Sequence, residues 1–299
     1  MRFEGIYTPI ITPFMDSGEI DWDMYAEVID WQIENGVAGI IVGGSTGEFY
    51  ALSKEERIQQ FEFAAERINS RVEFMAGVND IRVDECLQIS SAAVDAGAKS
   101  LLVAAPPYSL PSEEELANHV LEIANKTGLP IMLYNYPGRT GVEMGENFLD
   151  IVANNPLIAA IKESSGDYSR LPLLSNNYSS IELAVGGEEQ VLEFAAWGAK
   201  SWVCATANFF PSECVQLMDI LGKQSDFEKG RRLMAAFMPL MKALEQGGKF
   251  LQCVKLGCEQ QGRPSGKVRL PLLPIEDSLR KEMIGVIDKT RSSLHSILN

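Results

Sequence analysis

Glu34-Asn35-Gly36-Val37-Ala38-Gly39-Ile40-Ile41-Val42 is the stretch that decides the fold. A helical pattern ends, a glycine follows, and an apolar run begins. Glycine just past a helix supplies the positive φ that closes the last turn without a Cβ penalty. The same phrase returns as Asp95-Ala96-Gly97-Ala98-Lys99-Ser100-Leu101-Leu102-Val103, around Gly128 in Lys126-Thr127-Gly128-Leu129-Pro130, and as Trp197-Gly198-Ala199-Lys200-Ser201-Trp202-Val203-Cys204. The glycines lie one or two multiples of roughly 30–35 residues apart, the length of a βα unit.

Working outward, eight strands are expected. They lie near Ile6–Thr12, Gly39–Gly43, Glu73–Gly77, Ser100–Ala104, Pro130–Tyr134, Ile158–Lys162, Glu182–Val185 and Ser201–Cys204. Most are continuous apolar runs, as parallel strands buried on both faces must be. Helical patterns separate them. Ser53 with Glu56, and Ser112 with Glu115, have capping-box spacing and mark helix starts. Eight alternating units spell a (β/α)8 TIM barrel over residues 1–222. The rival doubly wound sheet lacks its glycine fingerprint after the first strand. Beyond Leu221 the strand signals stop, so residues 223–299 read as a C-terminal helical domain, broken at Gln246-Gly247-Gly248 and at Leu270–Pro274.

Composition narrows the function. The chain has 299 residues, 46% hydrophobic, enough for a sizeable core. Its net charge of -15 disfavours nucleic acid and anionic membranes. Five cysteines at irregular spacing, with no C-x-x-C and only two distant histidines, His119 and His295, fit free thiols in a reducing cytoplasm rather than structural zinc. Residues 1–14 lack signal-peptide character, and no apolar run is long enough for a membrane span.

In such barrels the chemistry sits where strands end and βα loops begin. Lys162 ends the apolar run Leu157-Ile158-Ala159-Ala160-Ile161 and opens Lys-Glu-Ser-Ser-Gly-Asp. Burial there disfavours the ammonium form and frees an amine able to attack a ketone. Taken alone, it also reads as a surface lysine capping a strand. Tyr134 ends the fifth strand and serves as a proton shuttle if its pKa is lowered or if it sits in a relay, or else as a packed aromatic. Gly43-Gly44-Ser45-Thr46-Gly47-Glu48 follows the second strand; it is either a carboxylate cradle or an ordinary glycine-rich turn. Arg139, in a tight loop after Pro137, suits a bidentate carboxylate clamp or simply a surface position. Gly186-Gly187-Glu188-Glu189 follows the seventh strand, and Cys204-Ala205-Thr206-Ala207-Asn208 the eighth.

With Ile161-Lys162-Glu163, Gly44-Ser45-Thr46-Gly47-Glu48, Tyr134-Asn135-Tyr136-Pro137-Gly138-Arg139-Thr140-Gly141 and Val268-Arg269-Leu270-Pro271-Leu272, the chain resembles the dihydrodipicolinate synthase / N-acetylneuraminate lyase superfamily of Schiff-base TIM-barrel enzymes. The resemblance runs nearly end to end. It implies that Lys162 forms an imine with pyruvate or another 2-oxo acid, so that no cofactor or metal is needed, and that Tyr134 shuttles protons. It implies that Ser45 and Thr46 bind the 2-oxo acid carboxylate, that Tyr108 completes the proton relay from a neighbouring subunit, that Gly186 and Val203 line the pocket, and that Arg139 holds the carboxylate of an aldehyde substrate. A homotetramer, a dimer of dimers, is implied as well.

The periphery departs from the synthase pattern. Val78-Asn79 stands where synthases carry Thr-Gly, Pro107 where many carry a second tyrosine, and Gly187-Glu188 where a pair of aspartates is usual; Gln246-Gly247-Gly248-Lys249-Phe250 replaces a Pro-rich run. The leading expectation is condensation of pyruvate with aspartate semialdehyde. The alternative is a catabolic aldolase, dehydratase or deaminase acting on a hydroxylated 2-oxo acid or on the cyclic imine acid from hydroxyproline. A non-catalytic 2-oxo acid binder would have no need of the Lys162 nucleophile.

Overall fold

Eight parallel strands pair in sequence order and close on themselves in the computed structural model, which describes residues 2–298. They are β1 (Gly5–Pro9), β2 (Gly39–Val42), β3 (Glu73–Gly77), β4 (Ser100–Ala104), β5 (Ile131–Asn135), β6 (Ile158–Glu163), β7 (Glu182–Val185) and β8 (Ser201–Val203). Tyr7 opposite Val203 closes the ring. The outer layer is α1 (Trp22–Glu34), α2 (Lys54–Ile68), α3 (Val83–Ala96), α4 (Glu113–Thr127), the short α5 (Pro137–Thr140), α6 (Glu146–Val152), α7 (Arg170–Asn177), α8 (Val191–Ala196) and α9 (Pro211–Gly222). Three further helices follow: α10 (Phe227–Gln246), α11 (Phe250–Glu259) and α12 (Asp277–Leu298).

The local signals act as their chemistry requires. Ser53 and Ser112 each cap a helix through a reciprocal box with Glu56 and Glu115. Gly36, Gly97, Gly128 and Gly198 all have positive φ, so each recurrent glycine turns the chain from helix to strand.

Two apolar clusters result from strand alternation. Ile40, Leu101, Val103, Ile131, Leu133 and Ile161 face the helices, while Ile41, Leu102, Met132, Ala160, Ala184 and Val203 fill the barrel interior. The pairing of β5 with β6 is irregular: Ile131 faces Ile158, but Met132 faces Ala160. Ala159 is the extra residue of this bulge, and it packs on the interior cluster together with Ala160. A bulge re-phases everything that follows it. Ile161 therefore points to the helices, and Lys162 points inward.

The C-terminal helices share one core with the barrel. Leu251, Val254, Leu256 and Met283 belong to the same cluster as Phe209, Phe210 and Leu217. The approach is close at Gly257, where an added Cβ would lie 2.5 Å from the Phe209 ring. Overpacking costs about 1–3 kcal/mol, and alanine returns up to about 1 kcal/mol of helix propensity. Gly257→Ala is expected to lose stability on balance, by about 1–2 kcal/mol, with an unchanged denaturant slope. Equilibrium unfolding of the two proteins side by side measures it.

Candidate active site

Strand alternation brings Tyr134 and Lys162 together. Met132 points inward, Leu133 outward and Tyr134 inward; on the neighbouring strand Ala160, Ile161 and Lys162 follow the same order. The register pairs Tyr134 with Lys162 directly, and the Lys162 Nζ lies 3.9 Å from the centre of the Tyr134 ring. Lys162 is 8% exposed. Among the described residues no hydrogen bond or ion pair holds its amine. Burial lowers its pKa to about 8, against the opposing pull of Glu188, Glu245 and Cys204. The Tyr134 phenol is driven the other way. Burial, then Tyr136, raises its pKa, so it stays a protonated phenol near neutrality. The Ser164 hydroxyl lies beside it, buried and without a well-formed bond of its own.

One residue further along each strand, the side chains point the opposite way and form a clamp. Asn135 Nδ2 donates to both oxygens of Glu163, at 3.1 and 2.9 Å. Arg170 Nε donates to Glu163 Oε2 at 2.7 Å, and its other nitrogens reach Glu143 and the Met144 carbonyl. The Ser165 N–H donates to Glu163 at 2.7 Å, and the Met144 N–H to the Asn135 side chain at 3.0 Å. Asn135, Glu163 and Arg170 are all buried, so every lone pair and N–H needs such a partner. The clamp fixes the two strand ends that carry Tyr134 and Lys162.

After β2 the chain turns through Ser45–Gly47, with bonds from the Gly47 and Glu48 N–H groups back to Gly44 and Ser45. The Ser45 and Thr46 N–H groups take no part in those bonds. Thr46 is 7% exposed, whereas Ser45 faces solvent. Thr12 braces the turn from behind, donating to the Gly47 carbonyl at 2.6 Å. Gly43 has positive φ, and a Cβ there would stand 2.9 Å from the Gly77 carbonyl, which accounts for a glycine at this position.

Arg139 sits on α5, solvent-exposed, with its guanidinium 5.7 Å from the Tyr136 ring. Its charge is favoured chiefly by Tyr136, and also by Tyr134 and Glu245. Gly186 leaves no room for a side chain, since a Cβ would fall 2.0 Å from Ser164 Oγ. Val203, fully buried, belongs to the barrel interior beneath Tyr134. Tyr108 stands apart. It is 93% exposed with φ of 75°, on a loop where Leu110 also has positive φ. The structure does not bring it to Lys162 of its own chain.

Two carboxylates that sequence reading left without a role join the site. Glu188 is 3% exposed and accepts from the Ala205 N–H at 2.6 Å and from Cys204 Sγ at 3.7 Å. Burial raises its pKa. Glu245, at the end of α10, keeps one face open to solvent, yet burial of the other, then Glu188, pushes its pKa up to about 7. Its neighbours are Glu188, Lys162, Glu189 and Arg139. Glu188 was visible as a residue after a strand. Glu245 had no local signal, because an acid near a helix end is ordinarily a solvated one. Among the described residues no group of three His, Cys, Asp or Glu side chains is placed to hold a metal. No described helix is long and apolar enough to cross a membrane.

Comparison with known proteins agrees with this geometry. The model of the dihydrodipicolinate synthetase family matches residues 2–290. The 4-hydroxy-tetrahydrodipicolinate synthase of Methanocaldococcus jannaschii is 34% identical over 290 residues, 95% of this chain and 98% of its own. The solved 4-hydroxy-tetrahydrodipicolinate synthase of Methylacidiphilum fumariolicum SolV has a TM-score of 0.94 at 29% identity, covering 99% of this chain and 98% of that one. A monomeric dihydrodipicolinate synthase variant has a TM-score of 0.91 at 28% identity, with 97% of each chain covered. A closed eight-stranded barrel with a buried lysine at its mouth, matched over nearly its whole length, makes this chain a member of the dihydrodipicolinate synthetase family.

Proposed function

We propose that this lyase condenses pyruvate with aspartate semialdehyde through an imine on Lys162. The observation that carries the reading is the unpaired, buried Lys162 amine, with its pKa near 8, against Tyr134. At pH 7 about one such amine in ten is neutral, against fewer than about one in a thousand for an ordinary lysine. The neutral amine attacks the pyruvate ketone. Tyr134, as a protonated phenol, passes a proton to the departing hydroxyl, water leaves, and an iminium remains. The iminium withdraws electrons from C2, so C3 loses a proton and an enamine forms. C3 of the enamine bonds to the aldehyde carbon. The amine of the semialdehyde then closes on C2 and displaces Lys162, giving a hydroxylated six-membered ring. No metal or cofactor is called for.

The Ser45 and Thr46 N–H groups are assigned to the pyruvate carboxylate, with the Thr46 hydroxyl in the proton relay. Gly186 and Val203 line the pocket, and Arg139 grips the carboxylate of the semialdehyde. Tyr108, exposed and held in a strained conformation, is assigned to the relay of a neighbouring protomer. That assignment asks for at least a dimer, and we take the assembly to be a homotetramer. Five buried free cysteines suit the cytoplasm. Residues 1–222 are taken as the catalytic barrel and 223–299 as its helical extension.

Three outcomes are expected. Cyanoborohydride with pyruvate should leave one adduct, on Lys162, whose initial rate of formation climbs with pH through a midpoint near 8. Peptide mapping reads the position, and an adduct on another lysine overturns the assignment. Tyr134→Phe keeps the ring and removes the proton, so kcat should fall by about 10²–10⁴-fold; a variant within a few-fold of the parent rules the role out. Arg139→Lys replaces a fork by a point charge. The KM for aspartate semialdehyde should rise by about 10–100-fold, the worth of one or two charge-assisted bonds, while trapping of pyruvate is spared. Turnover of 4-hydroxylated 2-oxo acids or the cyclic imine acid from hydroxyproline, with the first pair inert, would replace the synthase reading by the catabolic one.

A further inference from the structure

Glu48 is the least expected residue near the site. It is fully buried, yet it carries a charge, and it holds φ of 60° without being glycine. Both features are unfavourable. A left-handed conformation at a bulky residue persists only where its surroundings over-determine it. Those surroundings come from the far end of the chain. Lys255 on α11, 4% exposed, places Nζ 2.9 Å from Glu48 Oε1 and donates to the Lys267 carbonyl at 2.9 Å. The Arg269 N–H donates to Glu48 Oε2 at 2.9 Å. The Arg269 guanidinium then reaches the Gly18 and Ala51 carbonyls and Glu56, at 2.6 to 3.1 Å. Lys255 and Arg269 also lie over the Phe14 ring, 4.6 and 4.3 Å from its centre.

A buried ion pair is a poor way to stabilise a fold, because an apolar pair of similar volume is usually as good or better. It does fix a geometry. The geometry at stake is that of the Ser45–Gly47 turn, which Glu48 caps. The turn leaves the Ser45 and Thr46 N–H groups outside its own bonds, and their direction depends on the peptide planes that Glu48 terminates. We propose that Glu48, Lys255 and the Arg269 backbone form a positioning clamp, through which the C-terminal helices aim the Ser45 and Thr46 amides at the carboxylate of the 2-oxo acid. The inference rests on the reading that Lys162 forms an imine with such an acid. Under it the C-terminal region is part of the substrate site without touching substrate.

The test compares pyruvate with pyruvamide, which keeps the ketone and lacks the carboxylate charge. Cyanoborohydride trapping on Lys162 is measured over a range of each, for the parent protein, Glu48→Gln, and the pair Glu48→Gln with Lys255→Met, which leaves no unpaired charge. In both variants half-saturating pyruvate should rise about tenfold, the loss of one well-aimed charge-assisted bond. Pyruvamide should stay within about twofold, since no aimed bond is lost. The preference for pyruvate therefore collapses, while the trapping rate at saturation is kept. A merely structural role lowers the folded fraction and scales both ketones alike, which would overturn the proposal, as would variants that keep the parent preference. A measurement on the parent protein stands beside these. Hydrogen exchange before and after trapping with pyruvate should slow together in residues 44–48, 253–258 and 265–269. Protection confined to 44–48 would also overturn the clamp. If pyruvate leaves no adduct on Lys162 of the parent, it is the functional reading that fails.

Discussion

The bulge at Ala159 is the constraint on which the site depends. Strict alternation from Ile158 would send Lys162 toward the helices, where an ammonium would be buried among Ile and Leu side chains. The extra residue puts Ala159 and Ala160 both on the interior side and reverses the phase for the rest of β6. Lys162 then enters the mouth opposite Tyr134, and Glu163 leaves it. That second consequence matters as much as the first. Glu163 turned outward meets Asn135, turned outward by the same alternation on β5, and Arg170 from the following helix. One inserted residue thus places Lys162 inside, beside Tyr134, and Glu163 outside, beside Asn135.

The electrostatics of the mouth follow from how few charges share a dry space. Burial pushes Lys162 toward the neutral amine and Glu188 toward the neutral acid, while each, when charged, favours charge on the other. Such groups titrate as a pair rather than singly. Glu245 extends the set toward solvent, with a pKa near 7. Cys204, whose thiol burial raises well above its usual pKa, contributes bulk and a weak donor to Glu188 rather than charge.

Much of this was legible in the residues. β3, β4 and β7 fall at the expected bounds, and the other strands differ by only a few residues at their ends. Buried parallel strands announce themselves as apolar runs, and the glycines between helix and strand are required by their φ. Lys162 and Tyr134 were visible because polar groups at the ends of apolar runs are few. The bulge was not legible. Ile158-Ala159-Ala160-Ile161 is apolar throughout, so it carries no alternation from which a phase could be read. Nor were the pairings of Glu48 with Lys255 and Glu163 with Arg170, since sequence gives the charges but not which of them meet. Glu245 was hidden for a related reason: its environment is made by the Glu188–Gln190 turn and the barrel mouth, which lie far from it in the chain.

A net charge of -15 works against the approach of an anionic 2-oxo acid to this protein. The range of the interaction removes the difficulty. At physiological ionic strength the Debye length is about 8 Å, so charges spread over the surface are largely screened from a substrate at the mouth. At the mouth itself stand Arg139 at the rim, the Ser45 and Thr46 amides outside their own turn's bonds, and Lys162, Glu188 and Glu245. Glu188 and Glu245 oppose anion entry only while ionised, and burial favours their neutral forms. Arg139 keeps its charge at any working pH. The local balance at the mouth is therefore set by a permanent cation and by carboxyls held back from full ionisation, which is how an acidic protein can accommodate carboxylates at its active centre.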